Sequence, residues 1–185
     1  MGVACFTGHR KIFNSYYNHL NPTAEWSRLR NHLAALLYAF AVRPEDPVDR
    51  FISGMAIGVD QLAAECVRTV MQTQANVRLI AAIPFPSQPN NWPAQTQAFY
   101  HELLASAINR FTLSDDPYAP HKMHVRDRWM VDSSDFVIAI WDGRKSGGTF
   151  YTISYALDTN TPVYWINPLV YPYNGVWLTS KEGLL

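Results

Sequence analysis

Phe51-Ile52-Ser53-Gly54-Met55-Ala56-Ile57-Gly58-Val59-Asp60 is the stretch that decides the fold. A short apolar run passes straight into a loop of small residues, and Leu62, Ala63, Cys66, Val67 and Val70 then recur at helical steps. This reads as a buried strand, a tight turn, and a helix whose N-terminus faces the strand's carboxyl end. A strand that hands over to a helix in this way belongs in a parallel sheet, because each parallel crossover must pass over a face of that sheet.

The same unit repeats on either side. Val3 to Thr7 is a short apolar run closed by Gly8, and Asn21-Pro22 offers a cap and a first helical residue, with Glu25 in the first turn. Trp26, Leu29, Leu33, Leu36, Leu37 and Phe40 then give one apolar helical face that should end near Pro44. Val77 to Ile83 is a third strand stopped by Pro84, since proline cannot donate to a sheet ladder. Beyond a loop stiffened by Pro84, Pro86, Pro89 and Pro93, residues Ala94 to Asn109 read as helix and Arg110 to Leu113 as a short strand. Ser114 to Pro120 is a turn-rich connection, and His124 to Asp132 is helical. Phe136 to Trp141 is a strong late strand, a helix follows through about Leu157, and Pro162 to Ile166 is the last strand. The expected fold is therefore α/β, one Rossmann-like, doubly wound and mainly parallel sheet with helices on both faces, in a single domain over 1–185. Its core covers about 3–166. The aromatic tail, 167–185, shows no periodicity and is left either to pack across the domain or to mediate self-association.

Composition narrows the function classes. With 48% hydrophobic and 16% charged residues, the 185-residue chain is too apolar to be disordered and has the size of one domain. Its 15 Lys plus Arg balance 15 Asp plus Glu, so the overall charge shows no footprint for nucleic acid, which is expected not to be a partner. No apolar run approaches a membrane span, and no secretory segment precedes the first turn, so a cytoplasmic protein without a membrane partner is expected. Cys5 and Cys66 lack metal spacing and read as inert thiols. His121 and His124 share a helical face, but no acidic or Cys ligand completes a site, so neither a metal nor a cofactor is expected.

Three loops leave strand ends that should meet at one edge, where open parallel sheets bind ligands. In Thr7-Gly8-His9-Arg10, glycine permits close backbone approach, threonine supplies a hydroxyl and arginine a planar donor fork; the bland alternative is a tight turn with a solvated Arg10. In Ser53-Gly54-Met55-Ala56 with Gly58, small residues and a helix start outline a phosphate cradle that is neither a Walker A sequence nor the dinucleotide fingerprint. Asp60 suits a ribose hydroxyl, or equally the positive first turn of its helix. Asp142-Gly143 leads to Gly147-Gly148-Thr149, again opening a helix with exposed N–H groups. Trp92, Phe99 and Tyr100 either stack on a base or cover the sheet edge, while Trp129 and Met130 read as core.

These motifs, together with Ala63-Ala64-Glu65, Met130-Val131-Asp132, Ser134-Asp135 and Trp141-Asp142-Gly143, make the chain resemble the YpsA-type family from Val3 to Ile166. That family belongs to the SLOG superfamily of Rossmann-like domains, with the LOG phosphoribohydrolases and the DNA-processing protein DprA. The resemblance implies a phosphorylated nucleotide or an NAD- or ADP-ribose-derived ligand, sensed or sequestered at the strand ends. It adds Arg126 as a ligand contact and Asp127 as a tuning position, and it implies a homodimer or higher homo-oligomer. LOG enzymes carry Pro-Gly-Gly-x-Gly-Thr-x-x-Glu, whereas Ser146-Gly147-Gly148-Thr149-Phe150-Tyr151-Thr152 lacks both the proline and the glutamate. If the chain cleaves an N-glycosidic bond instead, Glu65 and Asp142 are the catalytic carboxylates to test. DprA-like single-strand DNA binding is the third reading.

Overall fold

The computed structural model describes residues 1–184. Its centre is a seven-stranded sheet in the order β6-β5-β4-β1-β7-β8-β9. The strands are β1 (Gly2–Gly8), β4 (Val48–Ser53), β5 (Arg78–Ile83), β6 (Asn109–Thr112), β7 (Phe136–Ile140), β8 (Val163–Ile166) and β9 (Gly175–Leu178). Every pairing is parallel except β8 with β9, and Lys11–Ile12 (β2) and Ser15–Tyr16 (β3) form a separate small hairpin.

Side chains alternate across the sheet with period two, so each strand feeds two cores. Ala4 and Phe6 of β1, Phe51 of β4, and Phe136 and Ile138 of β7 lie in one apolar cluster, whereas Cys5, Ile52 and Val137 lie in the other. The first cluster is closed by α1 (Ala24–Ala41), α2 (Val59–Met71) and α3 (Ala94–Ser106), and the second by α4 (Pro120–Asp132) and α5 (Gly147–Asp158). Strands buried on both faces explain why they read as continuous apolar runs. Helices cover both faces, as the α/β reading requires.

Several boundaries differ from the sequence expectation for physical reasons. Helix α1 is capped by Thr23, whose side chain accepts from the Trp26 N–H, rather than by Asn21-Pro22. It still buries Trp26, Leu29, Leu33, Leu37 and Phe40 on one face. Helix α3 ends at Ser106, not Asn109, because β6 already pairs with β5 from Asn109. Helix α4 begins at Pro120, four residues earlier than expected, with proline at a position that needs no N–H donor.

The tail carries a regular element. Residues 175–178 form β9, antiparallel to β8, and Gly175 lies under the Tyr164 ring, where a Cβ would collide. No described helix is long and apolar enough to cross a membrane.

The chain runs outward from β1 through β4, β5 and β6, then returns to the other side of β1 as β7 and continues to β8. The order therefore reverses between β1 and β7. Ligands of open α/β sheets bind beyond the strand ends at such a reversal.

Candidate functional site

A cleft of about 310 Å³ opens at that point, at the carboxyl ends of β1, β4 and β7. From the expected residues it gathers Thr7, Gly8, His9, Arg10, Ala56, Asp60, Arg126, Asp127, Gly148 and Thr149. Phe6, Tyr118, Pro120, Met123 and His124 complete the wall and were not anticipated. Proline just ahead of the His124 helix was the available signal, because a helix begun at Pro120 brings Met123 and His124 toward the strand ends.

The β1 end is held by close packing. A Cβ on Gly8 would strike the Val59 side chain, and one on Gly58 (φ +97°) would strike the His9 and Arg10 backbone. Both glycines therefore let the start of α2 press against the 7–10 loop, and Val59 N–H donates to His9 O at 3.2 Å. This packing brings protein to protein; Gly8 lines the cleft and Gly58 does not.

Gly54 likewise lies outside the cleft lining. A Cβ there would overlap the Arg126 guanidinium, so glycine makes room for this buried cation. Arg126 Nη1 donates to Gly54 O and lies 3.5 Å from Asp60 Oδ2, while its Nε donates to Asp127 Oδ1 at 2.8 Å. Burial opposes the Arg126 charge, but Asp127 and Asp60 outweigh it and raise its pKa. For Asp60 burial wins, and its pKa is pushed up to about 6 despite Arg126. Ala56 N–H also donates to Asp60, and Ser53 Oγ donates to Asp60 O while accepting from Met55 N–H. The 53–60 loop is thus occupied by its own aspartate. Ser53, Gly54, Met55 and Gly58 stand behind the cleft surface.

The 147–149 loop is different. No side chain caps α5, and a Cβ on Gly148 would meet nothing within 4 Å. Gly148 and Thr149 face the cleft, so the unpaired N–H groups and partial positive charge of this helix end are available to an anion. Gly147, at φ +81°, turns the chain into the helix. Arg10 is exposed at the cleft mouth and forms no ion pair among the described residues.

Asp142 stands beside the cleft. Its Oδ1 lies 2.8 Å from His9 Nε2 and accepts from Arg144 N–H, and its Oδ2 accepts from Arg144 Nε at 2.7 Å. Burial works against this carboxylate, yet the Arg144 and His9 contacts prevail and hold its pKa below the usual value. Burial lowers the His9 pKa, outweighing Asp142. The Asp142 N–H also approaches His9 Nε2, at 3.4 Å. Gly143, at φ +90°, allows the turn between Asp142 and Arg144.

Glu65 lies elsewhere. It accepts from the Tyr17 hydroxyl and is not among the cleft residues, which removes the geometric basis for a catalytic role there. The carboxylates that do line the cleft, Asp60 and Asp127, are both engaged by Arg126. Cys5 and Cys66 are buried and unpaired, and burial pushes both thiols up, Cys5 to about 12. No group of three or more metal-ligating side chains occurs among the described residues.

A parallel sheet with glycine loops converging at its reversal defines a Rossmann-like α/β protein. The YpsA family model, described as the YspA SLOG family, matches residues 4–169, and the chain belongs to that family. It is 32% identical over 150 residues to the SPbeta prophage-derived protein YoqJ of Bacillus subtilis, covering 75% of this chain and 85% of that protein. It is 24% identical over 189 residues to a UPF0398 protein of Halalkalibacterium halodurans, covering 100% and 95%. Among solved structures, DNA processing protein A from Helicobacter pylori, described for its single-stranded DNA binding mode, is similar in fold, with a TM-score of 0.59 and 19% identity. That match covers 88% of this chain, which spans 64% of the DprA chain.

Proposed function

We propose that the cleft binds a phosphorylated nucleotide or an NAD- or ADP-ribose-derived molecule, and that the protein senses or sequesters it. The observation that carries this reading is the uncapped start of α5 at Gly148, open to the cleft and faced by the unpaired cation Arg10. A phosphate there accepts backbone hydrogen bonds and meets two positive potentials. Asp60 supplies a carboxylate for a sugar hydroxyl beside it. Binding is favoured over N-glycosidic hydrolysis because Glu65 lies outside the cleft and Asp60 and Asp127 are both engaged by Arg126.

Gly148→Asp tests the reading. The added carboxylate enters open space and favours the helix terminus, so the fold is kept, yet it repels an anion. Calorimetry with ADP-ribose and AMP should show binding to the native chain, no detectable binding to the variant, and the nucleotide recovered intact. Equal affinity for both proteins would refute the phosphate site, and free base in solution would establish hydrolysis. Single-stranded DNA is the competing ligand. Affinity for an oligonucleotide with steep salt dependence, and none for nucleotides, would replace this reading.

A further inference from the structure

A second cavity, about 470 Å³, adjoins the cleft and shares Arg10, Tyr118 and Met123 with it. We infer that this cavity receives the planar base of a nucleotide whose phosphate lies at α5, so that one ligand spans both spaces past Arg10. The inference rests on the phosphate reading above and names what the rest of that ligand must be.

The chemistry of the walls differs between the two spaces. The cleft carries Arg10, Asp60, Arg126 and Asp127 alongside Phe6 and the shared Tyr118, whereas the second cavity has Phe85, Trp92 and Tyr118 as aromatic walls and Arg10 as its one ionised lining residue among those described. Tyr118 is 60% exposed and packs edge-on against Phe85, with centroids 5.6 Å apart, so a face is free at the shared lip. Trp92 is braced edge-on by Tyr100 at 5.6 Å. Phe99 and Tyr100 are buried in the core and do not line this cavity, whereas Trp92 does. The Asn90 and Asn91 amides at the rim are exposed. Flat apolar faces for stacking and amides for a polar edge are what a nucleobase requires, and no ionised side chain other than Arg10 lines this space. The floor is built: Gln88, buried, donates to Gly54 O at 3.2 Å, the same carbonyl that accepts from Arg126 in the cleft.

The experiment compares AMP with ribose 5-phosphate, which keeps sugar and phosphate but lacks the base, by calorimetry on the full chain. The native protein should prefer AMP by about 10- to 100-fold, the size of one stacking interaction. Trp92→Ala, at a wall of the second cavity that does not reach the cleft, should remove most of that preference while leaving ribose 5-phosphate affinity unchanged, and Trp92→Phe should retain much of it. Equal affinities for AMP and ribose 5-phosphate in the native protein overturn this inference and leave the phosphate site standing. Loss of both ligands in Trp92→Ala also overturns it, since the side chain then serves phosphate. If neither compound binds the native chain, both readings fall. If a short single-stranded DNA binds in a Trp92-dependent way and AMP does not, the cavity holds bases of nucleic acid and the mononucleotide assignment is wrong.

Discussion

The Arg126 guanidinium occupies the space that a side chain on Gly54 would need, and it donates to the Gly54 carbonyl from that position. The pairing is steric and electrostatic at once. Gly54→Ala should force a buried charge from Asp60 and Asp127 and cost about 3 kcal/mol, within the range for overpacking and for broken buried ion pairs. Urea unfolding measures this. A loss below about 1 kcal/mol would mean that Arg126 relocates freely.

Asp60 gives stability a pH dependence of defined sign. Its pKa is about 6 folded against 3.8 ordinarily, so between these values the folded chain holds more protons than the unfolded one. Its contribution therefore falls as pH rises from about 4 to 6 and is level above, a change on the order of 2–3 kcal/mol. Unfolding in urea at a series of pH values, native against Asp60→Asn, should show this component disappear in the variant. A pH-independent difference between the two proteins contradicts the assignment.

Asp142 ties the turn after β7 to the 7–10 loop through His9. Asp142→Ala should speed amide hydrogen exchange over residues 142–149 and weaken nucleotide binding about tenfold, with little change in β1 or β7. Unchanged exchange in that segment would show that Gly143 and the helix start hold themselves.

Glu65 should prove structural. Glu65→Ala deprives the hydroxyl of buried Tyr17 of its acceptor and should cost about 1–3 kcal/mol, while Glu65→Gln keeps an acceptor and costs less. Nucleotide affinity should match the native protein in both. A tenfold loss of affinity at unchanged stability would return Glu65 to the site.

The parallel core was legible because strands buried on both faces and helices with one apolar stripe leave strong patterns, as at Phe51–Ser53 and Trp26–Phe40. β9 was not, since Val176 and Trp177 are both largely exposed on an edge strand and no alternation survives. The β2–β3 hairpin turns at Phe13-Asn14, both at positive φ, without the Asn-Gly signal that marks such turns. In the site, sequence located the loops but could not distinguish a glycine that faces a ligand from one that admits protein. A Cβ on Gly148 would meet open space at the cleft, whereas one on Gly54, Gly8 or Gly58 would strike protein; only packing separates them.

One peptide carbonyl, that of Gly54, carries Arg126 on the side of the cleft and Gln88 on the side of the second cavity. The next residue, Met55, is buried at φ +58°, a conformation that costs about 1–2 kcal/mol for a side-chain-bearing residue and persists only because its neighbours enforce it. Rotation of that peptide plane would release both contacts together. The Arg126 guanidinium and the Gln88 amide are therefore held, or freed, as one.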